Sequence, residues 1–181
     1  ETVCVSWVNP DSSYADTDFE DYMCEGALEA IKQVKAAAST EQLNIVGYCI
    51  AGTLLAATLA YLSEKEEAEQ IRSATFFTAQ VDFEDAGELQ IFVDEKQIDA
   101  IDKAMADKGY LDASTMATTF NLLRSNDLIW SFVINNYLLG REPFPFDLLY
   151  WNSDSTRMPR AMHRYYLTNF YSENNLSLIH I

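Results

Sequence analysis

Basic residues are scarce in this sequence. Twelve Lys and Arg stand against 28 Asp and Glu, a net charge of −16. Phosphate binding needs clustered Lys and Arg, so the balance argues against a broad nucleic-acid surface and against charge-driven docking on an anionic bilayer. A solvated acidic exterior accounts for the excess. Cysteines number three, Cys4, Cys24 and Cys49, an odd and sparse set that makes a poor disulfide framework and fits a reducing cytosol. There are two histidines, His163 and His180, with no CxxC pair, so no metal site is expected. No apolar run reaches the ~20 residues that cross a bilayer, and no transmembrane segment is expected. With six glycines and four prolines spread along the chain, no low-complexity segment or repeat appears.

What is present is 49% hydrophobic residues over 181 positions, which suits one domain with a real core. Thr2 to Val8 is mostly apolar and reads as a buried strand, closed by Asn9-Pro10-Asp11. Because the chain opens inside that run without a Met, further upstream sequence is expected. Thr17 and Glu20 form a capping box, and Phe19, Tyr22, Met23, Ala27, Ala30, Ile31, Val34 and Ala38 recur at helical spacing, which predicts a helix over 18–38. Leu43 to Val46 is a short apolar run. A small-residue helix is expected from Thr53 to Leu62, and Ser73 to Val81 reads as another buried strand. This alternation predicts βαβ units and a parallel sheet with flanking helices. After Asp82 the pattern turns helical, over Phe92 to Met105, Ala113 to Arg124 and Asp127 to Leu139. Gly140 fits a C-terminal cap, and Pro143 and Pro145 impose an extended stretch. A helical, aromatic insertion after a parallel-sheet core reads as a cap over a site. The closing run Leu176 to Ile181 resembles a translated sequencing remnant and is set aside, with His180.

Chemistry points to Gly47-Tyr48-Cys49-Ile50-Ala51-Gly52, between an apolar strand and a small-residue helix. A nucleophile elbow of the α/β-hydrolase type needs this context: a reactive side chain on a sharp turn, with small neighbours so that strand and helix pass closely. Gly47 and Ala51 hold the flanking places and Gly52 adds room. The helix start favours developing negative charge, and the Ile50 N–H is a candidate oxyanion donor. The competing reading of Cys49 is a small buried hydrophobe. Cys4 and Cys24 lack elbow context. A cysteine nucleophile needs a base and an orienting acid. His163 follows Cys49 but lies in the aromatic insertion with no strand before it, which disfavours it as the base. Asp82 sits at a strand end, and a turn or capping role suits it better than a triad acid.

Several segments resemble the catalytic domain of polyhydroxyalkanoate synthases, closest to the single-subunit class I type. They are VSWVNPD (Val5 to Asp11), NIVGYCIAGT (Asn44 to Thr53), VDFEDAGEL (Val81 to Leu89), FVDE (Phe92 to Glu95), LRSNDLIWSFVINNYLLG (Leu123 to Gly140) and PFDLLYWNSDSTRMP (Pro145 to Pro159). Where the family commonly has G-x-C-x-G-G, Ala51 replaces the first of the paired glycines. The resemblance implies an α/β fold in which a partial α/β-hydrolase core, residues 1–86, is followed by a helical cap or lid, 87–175, with 176–181 as the remnant. It implies an acyltransferase that polymerises (R)-3-hydroxyacyl-CoA into a growing polyester on Cys49 and releases coenzyme A, with no cofactor. The triad Asp and His are expected downstream, so this chain alone is expected to be inactive. Arg124 and Asn174 align with positions suspected of touching substrate, and Trp151, Tyr165 and Tyr166 are candidates for shaping the channel. A homodimer through the cap and a cytoplasmic setting at the polyester granule surface are implied too. A Cys-dependent esterase or polymer depolymerase would use the same elbow, and a non-catalytic scaffold subunit is the alternative outside enzymes.

Overall fold

The computed structural model describes residues 2–123, 125–143 and 156–180. Its first regular segment shows how local chemistry sets an element's start. Asp18, not Thr17, caps the helix: its carboxylate accepts from the Glu20 and Asp21 amides, and Asp21 accepts from the Asp18 amide at 2.9 Å. Thr17 is committed elsewhere. Its N–H bonds Tyr14 O and its carbonyl accepts from Met162 N, so the reciprocal box falls one residue later than the expected Thr17–Glu20 pair. An α-helical turn at Phe19–Asp21, a π-type stretch at Tyr22–Leu28 and an α-helix at Glu29–Ala38 then run on as α1. Gly26 lies in the π-type stretch, with Trp7 ring atoms 2.6 Å from where a Cβ would stand.

The strand expected over Thr2 to Val8 does not form. No strand pairs with it among the described residues, and Val3, Val5 and Val8 are 63%, 48% and 65% exposed. An apolar run without a partner strand has no ladder to join.

The parallel unit does form. β1 (Leu43–Tyr48) leads through α2 (Ile50–Glu64) to β2 (Ile71–Phe77), and the strands pair in parallel from Leu43↔Ile71 to Tyr48↔Phe77. Thr53, Leu54, Leu55, Ala56, Thr58 and Leu62 of α2 are buried. β2 stops at Phe77, short of the expected Val81, because Thr78 turns the chain with φ +48. The strand over Ser73 to Val81 is expected to be buried, yet Phe77 is more than half exposed, as are Val46 and Tyr48 of β1. One parallel pair with one helix leaves sheet surface uncovered, whereas parallel sheets are ordinarily covered on both faces.

Helices follow. A 3₁₀ turn at Gly87–Phe92 precedes α3 (Glu95–Met105), whose start is fixed by Asp94 accepting from the Lys96 and Gln97 amides. This cap is why α3 begins after the expected Phe92. α4 spans Ala113–Leu123, and α5 runs over 126–138, mostly in π-type turns. Gly140 closes it with φ +60. Tyr110–Leu111 (β3) and Met158–Pro159 (β4) pair antiparallel, α6 runs over 160–172, and α7 spans Asn175–His180. The core joins the two halves: Phe19, Leu54, Phe83, Met162, Phe170 and Leu176 bury against one another. Leu176, in the run set aside at the sequence level, is 2% exposed in that cluster. The chain is thus a mixed α/β arrangement with a small parallel sheet and several helices.

Candidate active site

Cys49 sits between β1 and α2 with φ +54 and ψ −126. A side chain in such a conformation costs about 1–3 kcal/mol and persists only where its surroundings enforce it. Here they do so through three backbone bonds. The Cys49 N–H donates to Phe77 O at 2.9 Å, so the turn is tied to the end of the neighbouring strand. Its carbonyl accepts from Gly52 N at 2.9 Å and Thr53 N at 3.3 Å, so the helix begins at once. The thiol is exposed, which removes the reading of Cys49 as a buried core cysteine. Cys4 is exposed and Cys24 partly so.

Glycines make the bend possible. A Cβ on Gly47 would stand 2.6 Å from Gly52 Cα, and one on Gly52 would stand 2.3 Å from Ala79 Cβ. The close approach is therefore between Gly47, Gly52 and Ala79. Ala51 contributes its carbonyl oxygen, 3.0 Å from a Gly47 Cβ. That is why an alanine is tolerated at 51. Ile50 and Ala51 open α2, and the first amides of a helix have no acceptor one turn back. Both lie beside Cys49 at the positive end of the helix dipole.

Aromatic residues of α6 pack in the same core cluster as Ile50 and Leu54 at the start of α2. Burial pushes the ionisation of Tyr166 far up. Tyr171 is raised by burial and then by Cys49. Phe83 packs edge-on against both rings, at 6.0 Å and 4.9 Å. Asn174, at φ +52, accepts from Phe83 N at 2.8 Å and donates to Asp82 Oδ1 at 2.9 Å. The sequence-level candidate Asn174 thus lashes the end of α6 to the loop leaving β2. Asp82 also accepts from Glu84 N at 3.1 Å, in the turn role that suits it. These bonds, first the Glu84 amide and then Asn174, hold its carboxyl below the usual range.

Tyr171 was missing from the sequence-level candidates, for a geometric reason. In an α-helix, positions five apart lie about 140° apart round the axis. Tyr166–Ser172 is π-type, and its wider turn brings the Tyr166 and Tyr171 rings to 5.6 Å. Only the cluster of aromatics in the sequence hints at this, since π-type turns leave no regular period.

Other candidates lie elsewhere. His163 is 8% exposed, its Nδ1 has no hydrogen-bond partner among the described residues, and burial pushes its pKa down to about 4 against a smaller opposing pull from Asp102. Asp102 is held by Arg160 at 2.8 and 2.7 Å and by Arg164 at 3.0 Å. Arg124 and Trp151 fall outside the described residues. Among the described residues no group of acidic, His and Cys side chains could hold a metal, and no helix is long and apolar enough to cross a membrane.

No family model matches the chain. Over 96% of its length it is 54% identical to the poly(3-hydroxyalkanoate) polymerase subunit PhaC of Rhizobium meliloti and 53% identical to the poly(3-hydroxyalkanoate) polymerase of Methylorubrum extorquens. To the subunit PhaC of Cupriavidus necator it is 37% identical, again over 96% of the chain. It spans 28%, 28% and 30% of these three proteins. With identity sustained over nearly the whole chain, this chain belongs to the poly(3-hydroxyalkanoate) polymerase family and spans less than a third of the length of the relatives it matches.

Proposed function

We propose that this chain is the part of a polyhydroxyalkanoate synthase that carries the growing acyl chain, with Cys49 as nucleophile. The observation behind this reading is the exposed thiol held at φ +54 at the start of α2. The Cys49 sulfur attacks the thioester carbonyl of an (R)-3-hydroxyacyl-CoA. A carbon–sulfur bond forms to Cys49, the bond to coenzyme A breaks, and coenzyme A leaves as its thiol. The hydroxyl of an incoming hydroxyacyl unit then attacks the Cys49 thioester: an ester bond forms, the carbon–sulfur bond to Cys49 breaks, and the hydroxyl proton passes by way of the base to the freed sulfur, so that Cys49 can be acylated again. Thioester exchange is nearly balanced and sulfur is intrinsically nucleophilic, so no cofactor enters the scheme. Charge on the tetrahedral oxygen is met by the Ile50 N–H and the helix start.

In this reading β1, α2 and β2 belong to an α/β-hydrolase core, and the helices from residue 87 onward are its cap. The packing of α6 aromatics against Ile50 and Leu54 at the start of α2 supports that assignment, since a cover that excludes water protects a thioester from hydrolysis. The base and orienting acid are assigned to the remainder of the protein, because His163 is buried at 8% exposure with its Nδ1 unpartnered among the described residues. Arg124 as a substrate contact, pairing through the cap and a granule-surface setting belong to the same proposal.

The test uses a chimera in which this segment replaces the matching stretch of the Rhizobium meliloti relative. Cys49→Ala should abolish both polymer formation and acyl labelling of the protein, a loss of at least about 10³-fold in rate. Polymer synthesis that survives this change would end the proposal. Release of free hydroxy acid in place of polymer would assign the elbow to a hydrolase.

A further inference from the structure

The loop leaving β2, residues 78–83, meets the Cys49 turn at one end and the turn after α6 at the other. At the near end Thr53 donates its hydroxyl hydrogen to Gln80 O at 2.7 Å, and the Thr53 N–H is itself bonded to the Cys49 carbonyl at 3.3 Å. Ala79 closes on Gly52 beside them. Within the loop, Gln80 Nε2 donates to Asp82 O at 3.1 Å. At the far end Asn174 Nδ2 donates to Asp82 Oδ1 at 2.9 Å, and Asn174 Oδ1 accepts from Phe83 N at 2.8 Å. Hydrogen bonds thus lead without a gap from Cys49 through Thr53, Gln80 and Asp82 to Asn174. Thr53 and Phe83 are each 1% exposed, and bonds shielded from water hold geometry better than exposed ones. Residue type matters at the far end. Asn carries a donor and an acceptor on one short amide, both bonded to the loop here, and it tolerates the φ of +52 that position 174 adopts.

We propose that Asn174 is a positioning residue for Cys49, acting through the loop that its amide clamps at Asp82 and Phe83. This rests on the reading of Cys49 as nucleophile. A strained backbone persists only where its surroundings over-determine it. Two of the three backbone bonds that hold Cys49 depend on this loop. Phe77, whose carbonyl accepts from the Cys49 N–H, is the last residue before the loop, and Thr53 is bonded to Gln80 within it. A loop free at its far end would let both supports drift. The Asn174 amide removes that freedom by fixing Asp82 and Phe83 to the end of α6. The resemblance places Asn174 among positions suspected of touching substrate. In this structure its amide oxygen and nitrogen both bond the loop, so its effect on the reaction runs through Asp82 and Phe83.

The experiment uses the same chimera. Asn174→Asp keeps an acceptor for Phe83 N but turns the donor toward Asp82 into a second carboxylate, so the clamp opens. It should lower kcat for polymerisation about 10- to 50-fold, with KM for the acyl-CoA within about twofold. The exchange Asp82→Asn with Asn174→Asp rebuilds the clamp with donor and acceptor reversed, and Asn at 82 still offers an oxygen to Glu84 N. It should bring kcat back to within about threefold of the parent. A side chain that touched substrate from position 174 would not be rescued by a change at position 82. Asn9→Ala is the control for loosening in general. Asn9 Oδ1 accepts from Arg157 N at 3.0 Å across 148 residues, a tether of the same kind that does not end on the loop. It should lower the urea midpoint and leave kcat unchanged. A raised KM with unaltered kcat in Asn174→Asp, an exchange variant as slow as the single one, or an equal fall in kcat in Asn9→Ala would each overturn the positioning role. Polymer made by Cys49→Ala would instead overturn the nucleophile reading beneath it, so the two failures are separable.

Discussion

The turn at Cys49 and the helices beyond residue 94 are held by different means. At the turn the backbone itself is the fastener. Phe77 O, Gly52 N and Thr53 N bond the Cys49 peptide units, and Gly47, Gly52 and Ala79 meet with no room for another carbon. In the helices the fasteners are side chains: the Phe19–Phe170 edge contact at 4.9 Å, the Phe83–Phe170 stack at 5.7 Å, and the Asp102 carboxylate gripping Arg160 and Arg164. A backbone lock tolerates almost no added volume. A side-chain lock tolerates exchange but responds to charge and pH. If Cys49 is the nucleophile proposed above, rigidity at the turn and adaptability in the helices is the division such a site needs.

The sharpest way to break this contrast is volume. Gly52→Val would place branched carbon where Ala79 Cβ already stands 2.3 Å from an ideal Cβ. We expect a loss of about 3 kcal/mol or more, read as a lower urea midpoint of the chimera, together with loss of polymerisation. Gly87→Ala is the counterpart outside the elbow. Its ideal Cβ meets nothing within 4 Å, and only the φ of +64 resists it, so about 1 kcal/mol is expected. Equal losses at the two glycines would show that crowding at Gly52 costs no more than φ strain does at Gly87.

Charge tests the side-chain lock. Asp102 has a side chain 11% exposed, while Arg160 and Arg164 are 38% and 50% exposed. Asp102→Asn removes the shared anion and leaves two cations facing each other. We expect about 2 kcal/mol, short of the value for a fully buried pair because the arginines reach solvent. The hydrogen bonds from Arg160 hold the Asp102 carboxyl below its usual value. Its contribution is therefore full above the ordinary carboxylate range and fades as pH falls through the lowered value. A variant as stable as the parent would mean that ring packing alone holds α3 against α6.

These two locks were unequally legible in the sequence. The elbow could be read from Gly47, Cys49 and Gly52 because backbone sterics act over a few adjacent residues, and the strand and helix formed on the expected sides. Which glycine is crowded was not readable, since Ala79 enters from beyond β2 and only the fold brings it to Gly52. The first expected strand failed because pairing is non-local: Val3, Val5 and Val8 are apolar at the right spacing but have no strand beside them. The helix spans after Asp94 were readable from their period. Asp102, Arg160 and Arg164 were not, because a grip between helices 58 residues apart in sequence leaves no local mark. Asn174 was a candidate by resemblance alone, and its bond to Phe83, 91 residues away, shows what it holds in this structure.

Acidity gives the most selective effect, through His163. Burial lowers its pKa to about 4, whereas the unfolded chain binds the same proton near 6.5. Between those values the unfolded state is protonated and the folded state is not, so stability must fall as pH drops from about 6.5 toward 4. Over pH 7 to 5 the loss is on the order of 2 kcal/mol, from the 1.36 kcal/mol that each pKa unit represents. Above pH 7 the histidine is neutral in both states and contributes no slope. Urea midpoints of the chimera at pH 5, 6 and 7, compared with those of His163→Phe, isolate this histidine from the surface carboxylates. The Phe variant should lose about that much of the dependence. Asp102 pulls the His163 pKa upward against burial, so Asp102→Asn should lower stability at pH 5 to 7 and carry the histidine's pH dependence further down, read by adding a urea midpoint at pH 4. If that double effect is absent, the buried histidine and the arginine-bound carboxylate are not coupled, and the side-chain lock divides into two independent parts.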